Sequence, residues 1–289
     1  MSKILSTAVI AAGIVMWGNS AQAALLVDFD ASSGVLHTGG LVDSWTPIVG
    51  GAARIATPPG ASNSPTIASS VFAQGQPGVF FDATDNLLAF SDAEFPAGAG
   101  NSPEWTMVGA FRYAAGINNH ASPMGWGRDD ATNNHNQMGF GRWNNDGKNL
   151  RTATNGSGAM AGELVMEADV NYVVIISHAS GNDEIDFTLI DNGVATTQTV
   201  AHDFADPWAA EIKLESGYIG NLVSPSSPEF DFFKMNGHVG RVLVYDNAVT
   251  GAARTALINE LSGYTLIPEP ATVTLLGLGA LVLLRRRRG

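Results

Sequence analysis

Short runs of alternating or continuous apolar residues recur from Leu25 to Asp246, separated by polar, glycine-rich stretches. LLVDFDA, Leu25 to Ala31, alternates after Leu25. WTMVGAFRY places its large residues at Trp105, Met107, Phe111 and Tyr113. A period of two puts such residues on one face of a strand. GVFFD, ending at Asp82, and NLLAF, Asn86 to Phe90, are shorter runs of the same kind. YVVIISH, Tyr172 to His178, is continuous and β-branched, which predicts a central strand. EIDFTLI, Glu184 to Ile190, and VATTQTV, Val194 to Val200, flank Asp191-Asn192-Gly193, a two-strand hairpin signal. GYIGNL, Gly217 to Leu222, and HVGRVLVYD, His238 to Asp246, complete the set.

The pattern changes period once. Ala253, Leu257 and Leu261 recur every four residues with Ile258 beside them, predicting one helix. Thr250 is placed to cap its start through the hydroxyl, and Gly263 its end. The glycine-, proline- and asparagine-rich stretches Val49 to Val71 and Gly116 to Met138 read as long loops. No internal repeat is evident. Many strands and one late helix predict an all-β, two-sheet antiparallel sandwich over residues 24–266.

Both ends differ from this pattern. The chain opens MSKILSTAVIAAGIVMWGNSAQAA, with Lys3 as the one charge before Asp28 and an apolar stretch from Ala8 to Trp17. Ala21-Gln22-Ala23 is the small-x-small pattern cut by signal peptidase, so residues 1–23 read as a signal peptide with cleavage between Ala23 and Ala24. The chain closes IPEPATVTLLGLGALVLLRRRRG. Ala271 to Leu284 carry no charge and, as a helix, would span about 21 Å against a hydrocarbon core of about 30 Å. Arg285, Arg286, Arg287 and Arg288 are the kind of cluster that stays cytoplasmic and halts export. This predicts a transmembrane helix that tethers the exported domain to the inner membrane.

Pro268-Glu269-Pro270, the apolar segment and the terminal arginines together resemble the PEP-CTERM sorting signal, covering residues 267–289. The resemblance implies recognition of the Pro-Glu-Pro by a membrane protease, exosortase. It also implies a Gram-negative bacterium that makes extracellular polysaccharide, with the protein passing to the outer surface or matrix.

Composition narrows the rest. Setting aside Lys3, the four terminal arginines and Glu269 leaves 10 basic and 26 acidic residues, a net charge of −16. Such a domain repels nucleic acid. There are no cysteines, so neither disulfides nor a thiol nucleophile contributes. FDATDNLLAF, Phe81 to Phe90, WTMVGAFRY and GHVGRVLVYDNAVTGAARTALINEL, Gly237 to Leu261, resemble the turn, following strand and closing strand-helix of laminin-G-like, concanavalin A-like jelly rolls. Ala83 stands where that pattern has glycine.

Such folds include binding modules and laminarinase-type hydrolases, whose Glu-x-Asp-x-(x)-Glu strand lines a cleft with acids. Here Glu184 and Asp186 match the first two, while Thr188 and Leu189 occupy the third position. Neither donates a proton to a leaving group, so the domain reads as non-enzymatic. The six histidines lack any close ligand spacing. Asp129, Asp130, Asn133 and Asn134 offer oxygens for calcium, although an ordinary solvated turn uses the same residues. Trp126, His135, Trp143, Asn144, Asn145 and Asp146 offer rings and amides for a glycan, although the tryptophans serve equally as core. The expectation is an exported surface or matrix protein that binds polysaccharide or another surface component. A polysaccharide hydrolase or lyase and a purely structural matrix component are the alternatives.

Overall fold

The computed structural model describes residues 23–60, 63–91, 104–116, 120–127, 137–143, 149–154, 160–179, 184–201, 216–221 and 233–266. The expected signal peptide before Ala23 and the expected membrane helix and arginine cluster beyond Leu266 lie outside these residues. Among the described residues, no helix is long and apolar enough to cross a membrane.

In chain order the strands begin with β1 (Leu25–Asp30), β2 (Val35–Thr38), β3 (Leu41–Trp45), β4 (Thr66–Ala68), β5 (Gly78–Asp82) and β6 (Leu88–Ser91). β7 (Trp105–Tyr113), β8 (His120–Gly127), β9 (Gln137–Trp143), β10 (Asn149–Thr154) and β11 (Met160–Val165) follow. β12 (Asn171–His178), β13 (Glu184–Asp191), β14 (Val194–Ala201), β15 (Ser216–Ile219) and β16 (Asn236–Tyr245) precede the helix α1 (Gly251–Leu261). A ten-stranded sheet runs β14-β13-β12-β7-β16-β5-β4-β3-β2, with β1 also paired to β16. A six-stranded sheet runs β11-β10-β9-β8-β15-β6. The expected two-sheet antiparallel sandwich with a short C-terminal helix is what forms.

The alternation in β7 explains the core between the sheets. Trp105, Met107, Phe111 and Tyr113 all belong to it, with Phe29, Trp45, Phe81, Phe140 and Tyr172. Phe111 meets Tyr113 edge-on at a ring separation of 5.1 Å, a geometry that aromatic pairs favour. The residues between these on β7, Val108 and Ala110, face the opposite side. They join Val173, Ile175 and Leu243 in a second buried cluster. Leu257 and Leu261 of α1 cover that cluster. Tyr172 to Ile176 of β12 form an unbroken apolar run, as suits a strand buried on both faces.

Several expectations change. The runs GVFFD and NLLAF become β5 and β6 in different sheets, with residues 83–87 carrying the chain between them. The presumed loop Val49 to Val71 contains β4, and Gly116 to Met138 contains β8. β8 escapes its Pro123 by a register shift between Ala121 and Met124, since a proline has no amide for the ladder. Thr250 is the first cap residue of α1 but makes no side-chain capping bond. Ala253 is exposed, and the half-buried side at that level is Arg254. The helix ends on Ser262, whose hydroxyl donates to the Ile258 carbonyl at 2.6 Å. Gly263 lies in the following 3-10 turn.

Candidate functional site

Strand register decides which proposed site residues share a neighbourhood. His120 pairs with Trp143 at one end of the β8–β9 ladder, and Trp126 pairs with Met138 near the other. At about 3.3 Å per residue the backbones of Trp126 and Trp143 are roughly 20 Å apart. The glycan candidates therefore divide between the two ends of the six-stranded sheet, with His135 in the connection after Trp126 and Asn144, Asn145 and Asp146 in the connection after Trp143. These four residues, and the calcium candidates Asp129, Asp130, Asn133 and Asn134, lie outside the described residues. Among the described residues, no cluster of three or more acidic or histidine side chains is suited to a metal.

On the Glu184/Asp186 strand, Asp186 is engaged by its neighbours. Asp186 accepts a hydrogen bond from the Thr199 hydroxyl at 2.6 Å and lies 3.8 Å from the Arg254 guanidinium. Arg254 also donates to the hydroxyls of Ser177 and Thr188 at 2.6 and 2.7 Å. Asp186 thus belongs to a polar seam that fastens α1 to the outer face of the ten-stranded sheet.

A concave site of about 420 Å³ opens on that same outer face, beside the end of α1. Its volume is within the usual range for small-ligand clefts. Three backbone devices shape it. The first is the loop Ser70–Gln76, in which the amides of Val71 and Phe72 both donate to the Gln76 carbonyl, at 2.8 and 3.0 Å. Ser70 and Gln74 adopt positive φ, 63° and 60°, a conformation that side chains other than glycine rarely take. Phe72 pins this loop to the sheet by packing edge-on against Tyr264 at 5.5 Å. Gly240 makes the seat, since a Cβ there would lie 2.6 Å from the Phe72 ring.

The second device is the turn into β12. Asp169 takes φ 63° and its amide donates to the Tyr113 carbonyl at 2.7 Å. Its carboxylate meets Arg112 at 3.3 Å. The pair is half-exposed, so it contributes little to stability, but it fixes a cation and an anion at the mouth. The third is the Asn192-Gly193 turn, with φ 50° and 75°. Both central residues therefore have the positive φ that a type I′ hairpin requires, as the sequence predicted. The Gly193 amide donates to Thr265 Oγ1 at 3.0 Å, and a Cβ on Gly193 would lie 2.4 Å from Leu266. The end of the domain is thereby stitched to the hairpin and closes one side of the groove.

Polar chemistry concentrates here. Gln74, Arg112, Asp169, Asn171 and Asn192 line the groove together with the apolar Phe72, Val170 and Leu266. Asn171 Oδ1, Asp191 Oδ1 and Gln76 Oε1 are buried acceptors with no hydrogen-bond partner among the described residues. Buried polar atoms are paired in the great majority of cases, so three orphans in and beside one groove are unusual. His238 pairs across the ladder with Arg112 and packs its ring at a tilt against Phe80, with centroids 4.8 Å apart. Burial, helped by the nearby Arg112 charge and opposed by Asp169, pushes its pKa down to about 4. The imidazole is neutral at physiological pH. None of these groove residues was singled out from sequence. The one available signal was the Asp-Asn-Gly hairpin, which marks a turn and not a site.

No curated protein matches this chain. Solved structures do. A Trypanosoma rangeli sialidase in complex with sialic acid superposes with a TM-score of 0.50 at 15% identity, covering 83% of this chain and 33% of the sialidase. The same enzyme as a covalent intermediate with 2,3-difluorosialic acid gives a TM-score of 0.54 at 12% identity, covering 85% and 34%. A GH54 α-L-arabinofuranosidase gives a TM-score of 0.59 at 10% identity, covering 85% of this chain and 64% of the enzyme. The chain thus spans about a third of the sialidases and under two thirds of the arabinofuranosidase. These identities establish a shared fold and no more. The expectation of a non-enzymatic domain, which rested on the absent third acid, is corrected here, since the solved structures that share the fold include a sialidase and an arabinofuranosidase. The finding of most consequence for the chain's route is in its tail: residues 266–288 match the PEP-CTERM protein-sorting motif, which marks an exported, membrane-processed protein sorted by exosortase.

Proposed function

We propose that this is a surface or matrix protein whose sandwich engages extracellular polysaccharide in the groove beside the C-terminal helix. The observation that carries the reading is a groove in which the side-chain amides of Gln74, Asn171 and Asn192 stand beside an Arg112–Asp169 pair. Sugar hydroxyls are donors in quantity and also accept from amides and guanidinium groups. Phe72 and Leu266 supply the apolar contact that the ring carbons of a sugar require. The laminin-G-like pattern in the sequence supports the same reading. So does the fold shared with a sialidase solved with sialic acid and with an arabinofuranosidase. The acidic charge directs the domain toward neutral or cation-bridged glycans.

The test uses the processed chain in mild detergent, mixed with polysaccharide from the producing organism in calcium or in EDTA. Retention is measured, and the supernatant is assayed for new reducing ends. Asp169→Gly and Asn192→Gly remove groove side chains at positive φ, where glycine is at ease. The expected result is retention that falls at least tenfold in these variants, with melting unchanged. New reducing ends would assign hydrolysis to the domain, and loss of retention in EDTA would assign a calcium site. Retention unaffected by both variants would move the site away from the groove. No retention and no cleavage would overturn the glycan reading.

A further inference from the structure

The cut expected between Ala23 and Ala24 falls at a position that the fold holds with care. The Ala24 nitrogen donates to Asp246 Oδ1 at 2.7 Å, across 222 residues of sequence. In return the Asp246 amide donates to the Ala24 carbonyl at 3.1 Å. β1 begins at the next residue, with Leu25 paired to Tyr245. Ala24 itself is exposed and Asp246 half-buried. Residue 24 is therefore clasped at two points by the turn that leads from β16 into α1.

We propose that Asp246 is the receptor for the α-ammonium that signal-peptide cleavage creates at Ala24. Hydrolysis of the Ala23–Ala24 amide adds water across the bond. Ala23 leaves with a carboxylate, and the Ala24 nitrogen gains a positive charge and further donors. An amide hydrogen bond at 2.7 Å becomes a charge-assisted one, and such bonds are about twice as strong as neutral ones. The other charged or titratable groups of the surrounding elements are Asp28 and Asp30 on β1, His238, Arg241 and Tyr245 on β16, and Arg254 and Glu260 on α1. Arg241 is engaged by Asp28 and Glu260, and Arg254 by Ser177 and Thr188. Asp246 is the acid bonded to the Ala24 nitrogen.

The geometry also selects the cut. A terminus one residue longer puts the charge beyond the clasp, and one residue shorter removes the bonded nitrogen. The completed pair would tie β1 to the start of α1, whose far end leads to the sorting motif at residue 266. Removal of the leader would thus tighten the outer layer from which the tail departs.

Mass spectrometry of the exported chain first identifies the mature terminus, expected at Ala24. The α-amino pKa of the Ala24–Gly289 chain in mild detergent is then measured from the pH dependence of its acylation rate. It is expected about one unit above the roughly 8 of a free terminus, returning to that value in Asp246→Asn. A chain begun at Ala23 keeps the amide bond and displaces the charge. It is expected to melt about 2–4 °C lower, with the difference abolished in the Asp246→Asn background. A mature terminus elsewhere overturns the proposal. So does an ordinary α-amino pKa in the native chain, which is decisive even if Asp246→Asn fails to fold. An equal melting difference in both backgrounds overturns it as well.

Discussion

The two faces of the ten-stranded sheet are buried by different means. The inner face meets the second sheet through a continuous, aromatic-rich core that includes Phe29, Trp45, Phe111 and Phe140. Among the described residues, the outer face is covered by a helix and a loop, through Leu257, Leu261, Tyr264 and Phe72. The inner layer is chiefly apolar, with a few buried polar groups such as Thr152 and His178 among its side chains. The outer layer is threaded with polar fastenings: Arg254 to Ser177 and Thr188, and Arg241 to Asp28 and Glu260. A sheet can close against a sheet by apolar area alone, because the facing surfaces are broad. An eleven-residue helix presents a narrow apolar stripe, so directional bonds set where it lies. The groove and the clasp at Ala24 both occur at the margins of this thinner layer.

The contrast predicts unequal sensitivity to truncation. Phe111→Ala opens a cavity in the inner layer, and the expected loss is about 4 kcal/mol, read from the denaturant midpoint. Leu257→Ala removes apolar contact at a site 5% exposed, where the helix can settle onto the sheet, and about 2 kcal/mol is expected. Equal losses, or a larger one at Leu257, would mean that the outer layer is as tightly closed as the inner.

The inner layer was the more legible of the two. Alternation in WTMVGAFRY identified its inward residues, because a strand with one face to a core must repeat every two positions. The outer layer hid behind the same strands. Val173 and Ile175 made β12 look merely continuous, and continuity does not say what covers the second face. The helix stripe was misjudged by one position, since Arg254 spans the gap by bonding to strand hydroxyls. Strands β2, β3 and β8 to β11 were missed because glycine, proline and bulges interrupt their pattern. The groove was illegible because it is assembled from Ser70–Gly75, Arg112, Asp169–Asn171, Asn192 and Leu266, distant in sequence and joined only by sheet order. Its decisive feature, amides gathered beside an ion pair, is a property of tertiary arrangement.

The polar fastenings supply a sharper test. The Arg241 guanidinium donates to both carboxylate oxygens of Asp28, at 3.0 and 2.9 Å, and to Glu260 at 2.7 Å. Burial opposes the Arg241 charge, but these carboxylates outweigh it and hold its pKa above the ordinary arginine value. Asp28 is 4% exposed. Arg241→Ala leaves that carboxylate buried and alone, and removing one partner of such a pair costs about 3 kcal/mol or more. Asp28→Asn in the same chain removes the stranded charge, and most of the loss is expected to return. Failure of the double substitution to recover would mean that Arg241 acts through its packing on α1 and not through charge.

The smallest expected effect is a gain, and it lies where the chain crosses between the sheets. Ala83 adopts φ 60°, a region in which a Cβ crowds the following carbonyl at a cost of roughly 1–2 kcal/mol. The conformation is imposed by its neighbours. The Ala83 amide donates to the Met235 carbonyl at 2.9 Å, and Asp82 Oδ1 accepts from both the amide and the hydroxyl of Thr84. These bonds turn the chain out of β5 and toward β6, so the backbone cannot relax without losing them. Glycine at this position keeps every bond and removes the crowded Cβ, while increasing the freedom of the unfolded chain by part of the same amount. Ala83→Gly is therefore expected to stabilise the domain by about 1 kcal/mol or slightly less, measured as a raised denaturant midpoint at unchanged slope. A lowered midpoint would show that the turn takes its shape without strain, and that the crossover, like the inner core it joins, is already at ease.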